Sequence, residues 1–295
     1  MPTFQDKVKA RQFVITAEIT PPVTCDPADV MAKALPLKGL ADAVNVTDGA
    51  GARAHLGALT TAGLLLQHGI EPILQMTCRD KNRIALQGDL MAAAAIGVNN
   101  LLMLRGDDPK AGDQPEAKPV FDLDTVALTQ SARTMRDKGE LPHGRKVAGK
   151  AHFFLGAADL PIDPPPDWKP TSLQAKIAAG AEFAQTQFCM DVAVLRRYMA
   201  RLAEHGVKLP MLIGISPLRS AKSARWMREK LFGTIIPDAI VERLEAATDP
   251  AAEGRRICVD LMQEMAKVPG VAGVHIMAPG NEAAIADVIL RRRQG

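Results

Sequence analysis

Eight times along this chain a short apolar, β-favouring run gives way to a stretch of helical character, and that alternation restricts the fold more than any single motif. The runs are VITAEI (14–19), AVNVT (43–47), EPILQMTC (71–78), LLML (101–104), AHFFL (151–155), FAQTQFCM (183–190), LPMLIGI (209–215) and GVHIM (273–277). Apolar runs of this length, bounded by turn residues, fit strands buried on both faces. Strands that alternate with helices are parallel and joined by right-handed crossovers. Eight such units predict closure into a (β/α)8 TIM barrel of the α/β class, a single domain over residues 1–295 with extra helices at 238–268 before the last strand. A doubly wound open sheet is the runner-up, but no GxGxxG follows an early strand, and the glycines of Asp48-Gly49-Ala50-Gly51 have a different spacing.

A barrel brings the loops after all its strands to one mouth, so the strand ends are read together. In order they offer Glu18, Thr47-Asp48, Gln75-Thr77, Arg105-Asp107, Gly156-Ala157, Gln185-Gln187, Ser216 and His275. A strand buried on both sides has no structural use for Glu18, because an ionised carboxylate is costly to bury unpaired. Either it is paired, for instance with Arg105, or it is kept for acid-base work. Gln187 poses the same choice: its amide suits the edge of a heterocycle, or it is satisfied by neighbouring backbone. In NNLLMLRGDDP (99–109) the apolar strand breaks into a charged turn. Arg105 and Asp107, two apart on an extended chain, point the same way, and Gly106 lets backbone approach a ligand. The alternative is a turn with a surface ion pair. Asp108 gains no role beyond that of a solvated turn residue.

Several classes of function find no support. Hydrophobic residues are 47% of the chain, yet no uninterrupted apolar run reaches membrane-spanning length. The N-terminus MPTFQDKVKARQF lacks the apolar core of a signal peptide, so the cytoplasm is the expected compartment. Cys25, Cys78, Cys189 and Cys258 form no CxxC pair and read as reduced thiols in or near the core. His55 and His68 fall within one helix but far apart, and no spacing suggests a metal. A net charge of +3 and 4% aromatic residues argue against nucleic acid. Arg291-Arg292-Arg293 suits the carbonyl end of a last helix. No GxSxG elbow is present, and Cys189 lacks a base partner.

Taken in order, TAEITPP, VNVTDGAGAR, QMTCRDKN, LLMLRGDDP, KIAAGAEFAQTQF and GISPL resemble the methylenetetrahydrofolate reductase family over essentially the whole chain. The likeness is to the branch with TCRDxN and an FDLD segment, here Phe121-Asp122-Leu123-Asp124. The resemblance implies a flavin-containing (β/α)8 barrel that reduces 5,10-methylenetetrahydrofolate to 5-methyltetrahydrofolate with NAD(P)H by ping-pong hydride transfer. Glu18 matches the family's acid, Asp107 the aspartate beside flavin and folate, and Gln187 the glutamine that hydrogen-bonds the pterin. Thr47, Leu104, Arg105, Gly106 and Lys176 match flavin contacts.

Some positions depart from the better-known enterobacterial form. Gln75 stands for a flavin-contacting histidine, and FLGAADLPIDPPPDW, with Gly156 and Ala157, stands for a flavin-contacting YPEGHP-like segment. Ala221 occupies the place of an aromatic that stacks on the folate benzoyl ring. FAD is the first choice of cofactor and FMN the second. A homo-oligomer or a second redox subunit also follows from the resemblance alone. The same site serves methyl supply for methionine synthesis or the oxidation of methyl groups released elsewhere. The competing reading is a pterin-binding barrel that serves methyl transfer or leaves redox chemistry to a second protein.

Overall fold

A computed structural model describes residues 2–294. Strands β1 (Val14–Ile19), β2 (Ala43–Val46), β3 (Pro72–Thr77), β4 (Asn100–Leu104), β5 (Phe154–Asp159), β6 (Phe183–Phe188), β7 (Met211–Ile215) and β8 (Val271–Ile276) close into one parallel barrel in sequential order. Helices α2 (Pro27–Ala34), α3 (Ala58–Gln67), α4 (Arg83–Ala95), α5 (Thr125–Lys138), α6 (Thr171–Ala179) and α7 (Val192–Glu204) follow β1 to β6 in turn. After β7 comes α8 (Ala221–Lys230); α9 (Asp238–Ala246) and α10 (Pro250–Met265) are the extra helices expected at 238–268 before the last strand, and α11 (Glu282–Gln294) ends the chain. Side-chain caps start most of them: Asp26, Asn82, Asp124, Asp191, Ser220 and Asp249 each accept a first-turn N–H.

Alternation along the strands sorts their side chains. Ala17, Val44, Val46, Leu74, Met76, Leu101, Met103, Ala184, Ile213 and Val274 face the helices in the main core. Their neighbours Val14, Ala43, Ile73, Leu102, Phe154, Phe183 and Leu212 form a second cluster inside the barrel. That inner cluster is the barrel's floor. It is sealed by α1 (Phe4–Lys9), a helix absent from the sequence reading. A capping box between Thr3 and Asp6 starts α1, the Glu71 carboxylate accepts the Phe4 N–H, and Phe4 packs edge-on against Phe154 and Phe183.

The fifth strand also departs from expectation. The apolar run places it at 151–155, whereas β5 begins at Phe154 and continues to Asp159. Gly-Ala-Ala has low intrinsic β preference and reads as a loop, but the closed ladder with β4 and β6 overrides it. Gly156 is required there by packing, since a Cβ would lie 2.4 Å from the Phe183 ring. His55 precedes α3 and His68 caps its end, so neither lies within the helix. Cys25 is exposed, unlike the other three thiols. Burial pushes Cys78 up to about 11 and Cys189 to about 12, which leaves both as unreactive thiols.

Candidate active site at the barrel mouth

Above the apolar floor the barrel interior turns polar. Two residues along from the floor positions come Thr16, Asn45, Gln75 and Gln185, with His275 paired in register to Thr16. One further step brings Glu18, Thr47 and Thr77 to the mouth. Buried polar side chains of this kind persist only when hydrogen-bonded. All but Thr47 are: Gln185 bonds Asn45 and Thr16, Thr16 bonds His275, both His275 and Gln75 reach Glu18, and Thr77 reaches Asp48. Glu18 is thus paired, but with His275 Nε2 at 3.3 Å and Gln75 Nε2 at 3.0 Å, not with Arg105. Both contacts fall on Oε2. The Glu18 side chain is 13% exposed, so it reaches solvent only at the mouth.

Beside it, the loops after β2, β3 and β4 are knotted together by Arg79, two residues past the end of β3. Its side chain is 4% exposed. Nε and one terminal nitrogen hold the Asp80 carboxylate at 2.7 Å, and the terminal nitrogens also donate to the carbonyls of Gly49 (3.1 Å) and Asp107 (3.2 Å). Asp48 accepts from Thr77 N and Oγ1, and Asp107 Oδ2 accepts from Gly51 N at 2.9 Å. Gly106, at φ 90°, breaks the extended chain, so Arg105 and Asp107 do not act as a pair. Arg105 instead stacks over Phe121 at 4.6 Å. Leu104 faces inward, against the floor cluster.

Gln187 owes its position to an irregularity in the ladder. Gln185 pairs with Leu212 and Phe188 with Gly214, so three residues of β6 span two of β7. Thr186 Oγ1 closes the gap, accepting from Gly214 N at 2.9 Å and donating to Gln187 O at 2.8 Å. The bulge inverts the strand's parity. Cys189 therefore joins the outer core, and Phe188 borders a mouth cleft of about 300 Å³ with Ser216, Leu218, Trp226 and Met227. Gln187 Oε1 accepts from Phe188 N at 3.0 Å. One end of its amide is thereby satisfied by backbone, while among the described residues Nε2 has no partner.

On the β5 side, Gly156 and Ala157 lie within the strand rather than past it. The Ala158 carbonyl receives Lys176 Nζ at 2.6 Å, in a cleft of about 310 Å³ shared with Asp159 and Tyr198. Tyr198 donates to Asp159 at 2.5 Å. Burial pushes the Asp159 carboxyl up against the opposing pull of Tyr198, the Leu160 N–H and Lys176. Burial likewise holds Lys176 below the usual lysine value, with Asp159 opposing. The residues present fit a flavin: Thr47 Oγ1 is buried just past β2 without a partner among the described residues, and Arg105 just past β4 and Lys176 beside the end of β5 are cations suited to phosphate.

A closed parallel barrel with a carboxylate, amides and free donors at its C-terminal mouth belongs to the class of (β/α)8 barrels whose chemistry sits at the strand ends. The chain belongs to the methylenetetrahydrofolate reductase family, whose model matches residues 3–293. It is 25% identical over 236 residues to a probable methylenetetrahydrofolate reductase (NADPH) of Caenorhabditis elegans, covering 77% of this chain and 33% of that protein. It is 27% identical to methylenetetrahydrofolate reductase 2 of Schizosaccharomyces pombe, covering 81% of this chain and 38% of that protein. To 5,10-methylenetetrahydrofolate reductase of Escherichia coli it is 24% identical, over 72% of this chain and 66% of the other. The chain thus spans about a third of the length of the eukaryotic relatives. In fold it is similar to the crystal structure of DmoA from Hyphomicrobium sulfonivorans, with a TM-score of 0.60 at 10% identity, covering 96% of this chain and 88% of that one. Among the described residues no helix is long and apolar enough to cross a membrane.

Proposed function

We propose that this chain interconverts 5,10-methylenetetrahydrofolate and 5-methyltetrahydrofolate with NAD(P)H. Two observations support the reading: the family match over residues 3–293, and Glu18 at a polar barrel mouth, with one carboxylate oxygen free of protein partners among the described residues. Thr47, Gln75, Leu104, Arg105, Gly106 and Lys176 would hold a flavin, FAD before FMN. That flavin would supply hydride transfer from the nicotinamide to the folate in a ping-pong cycle.

The chain's own residues do the rest. Glu18 protonates N10 of the bound folate, the C–N10 bond of the five-membered ring breaks, and the methylene carbon is left as an N5 iminium that accepts hydride. Asp107, near the mouth, favours that cation electrostatically. The free Nε2 of Gln187 donates to the pterin edge. Trp226, 55% exposed, offers the cleft an aromatic face where Ala221 offers none. Four free thiols suit a reducing compartment such as the cytoplasm.

The test is half-reaction kinetics. Purified protein should show a flavin spectrum, bleached by NADH or NADPH and restored by methylenetetrahydrofolate. Glu18→Gln should leave bleaching intact and slow restoration by about 10²–10⁴-fold, the usual contribution of a general acid. Equal loss in both halves would reject Glu18 as the acid. Folate binding without bleaching by either nicotinamide would favour a binding barrel whose redox partner is a second protein.

A further inference from the structure

Behind Glu18 runs a chain of buried side-chain hydrogen bonds that the reaction steps above do not use. Asn45 Nδ2 donates to Gln185 Oε1 at 2.5 Å, and Gln185 Nε2 donates back to Asn45 Oδ1 at 3.0 Å, a reciprocal amide pair. Gln185 Nε2 also donates to Thr16 Oγ1 at 3.1 Å, and Thr16 Oγ1 lies 3.0 Å from His275 Nδ1. His275 Nε2 then meets Glu18 Oε2. Thr16, Asn45, Gln185 and His275 are each at most 3% exposed. Below them lies the apolar floor of Phe154, Phe183 and Leu212. A chain that ends against an apolar floor cannot deliver protons from solvent. It can fix orientation.

The orientation follows from donor and acceptor counting. With the Gln185 amide nitrogen facing it, the Thr16 hydroxyl accepts on that side and has its hydrogen to give. Nδ1 at 3.0 Å is a nearer acceptor than the Val274 carbonyl at 3.3 Å. Once Nδ1 accepts, the neutral imidazole carries its hydrogen on Nε2, aimed at Glu18. Gln75 adds a second N–H to the same Oε2. An oxygen that already accepts two N–H groups is the poorer place for a proton, so a proton on Glu18 belongs on Oε1. Other charged groups leave this arrangement alone. Asp48 is held by Thr77 and Asp107 by Gly51 N, and among the described residues no lysine or arginine pairs with Glu18.

We propose that His275, locked as its Nε2–H tautomer by Thr16 and the Asn45–Gln185 pair, is a positioning residue that reserves Glu18 Oε2 as an acceptor and leaves Oε1 to hand its proton to the substrate. The proposal rests on Glu18 being the acid. The proton passes from Oε1 to the substrate nitrogen, whose bond to the methylene carbon breaks. The carboxylate left behind keeps two N–H donors on Oε2.

The decisive readout needs neither substrate nor activity. Long-range proton–nitrogen correlation spectra of histidine-labelled protein report the tautomer of each of the six histidines, and the signal lost in His275→Asn assigns the one in question. His275 should show the Nε2–H pattern, lose it in Thr16→Val, and regain it in Thr16→Ser. In the loaded enzyme Thr16→Val should slow folate reduction by at least about tenfold, part of what a general acid contributes, spare flavin reduction, and be rescued by Thr16→Ser. An Nδ1–H tautomer in the unmodified protein, an unchanged tautomer in Thr16→Val, or equal slowing of both half-reactions would overturn the proposal. Failure of Glu18→Gln to separate the half-reactions would remove the acid while leaving the tautomer result standing, so the two ideas fail separately.

Discussion

Replacing Arg79 by methionine removes the guanidinium but keeps an apolar stem of similar length, which isolates the polar work of the loop knot. Four hydrogen bonds are lost. The two to Asp80 count for little, because that carboxylate is 49% exposed and rehydrates, so about 0–1 kcal/mol covers them. The Gly49 and Asp107 carbonyls lose a charged donor that tied separate loops, at about 1–2 kcal/mol each. The sum is about 2–5 kcal/mol. A chain of 295 residues melts with an entropy of about 0.6 kcal/mol/K, so Tm should fall by about 3–8 °C. Calorimetry measures that fall, and hydrogen exchange locates it: the Gly51 N–H, bonded to Asp107, should exchange faster, whereas amides of β6 and β7 should not. Arg79→Lys should recover part of the loss at most, since an ammonium cannot span three loops at once. A Tm within 1 °C of the parent, or protection at Gly51 unchanged, would show that these loops hold without the guanidinium.

Gly214→Ala tests the β6 bulge. Its Cβ would sit 2.5 Å from Thr186 O and 2.7 Å from Gln187 O, both backbone atoms that cannot rotate away. The expected destabilisation is about 1–3 kcal/mol, together with a raised KM for folate and unaltered flavin reduction, and a KM equal to the parent's would separate the bulge from substrate binding. Asp159→Asn tests the buried carboxyl of β5 by its pH dependence. A carboxyl raised by folding stabilises most when protonated, below its unfolded value, and loses that contribution as pH rises through its folded value. The Asn variant should therefore melt above the parent at pH 7, with the gap closing below about pH 4, where an unfolded aspartate is protonated. A gap that is constant across that range, or of opposite sign, would show that desolvation of Asp159 is not what sets it.

What could be read from residues alone follows the range of the interactions involved. Glu18, Gln75, Gln185 and His275 stand out because each is a polar residue inside an apolar run, and strand parity is a local property that carries them to one interior. The hand-offs between them are not local. Nothing near Glu18 in the chain points to His275, 257 residues away, and Arg105 was the more obvious partner until the turn at Gly106 and the face of Phe121 took it elsewhere. The β6 bulge is hidden for the same reason: FAQTQF alternates as regularly as any strand, and the extra residue is created by Gly214 and the Thr186 hydroxyl meeting across β7. Arg79 lies past a strand end, as do most surface arginines, and only the approach of three loops buries it. In a barrel whose strands are specified locally and whose mouth is specified by loop meeting loop, single-sequence reading finds which residues reach the mouth. The partners that aim them must come from the closed sheet.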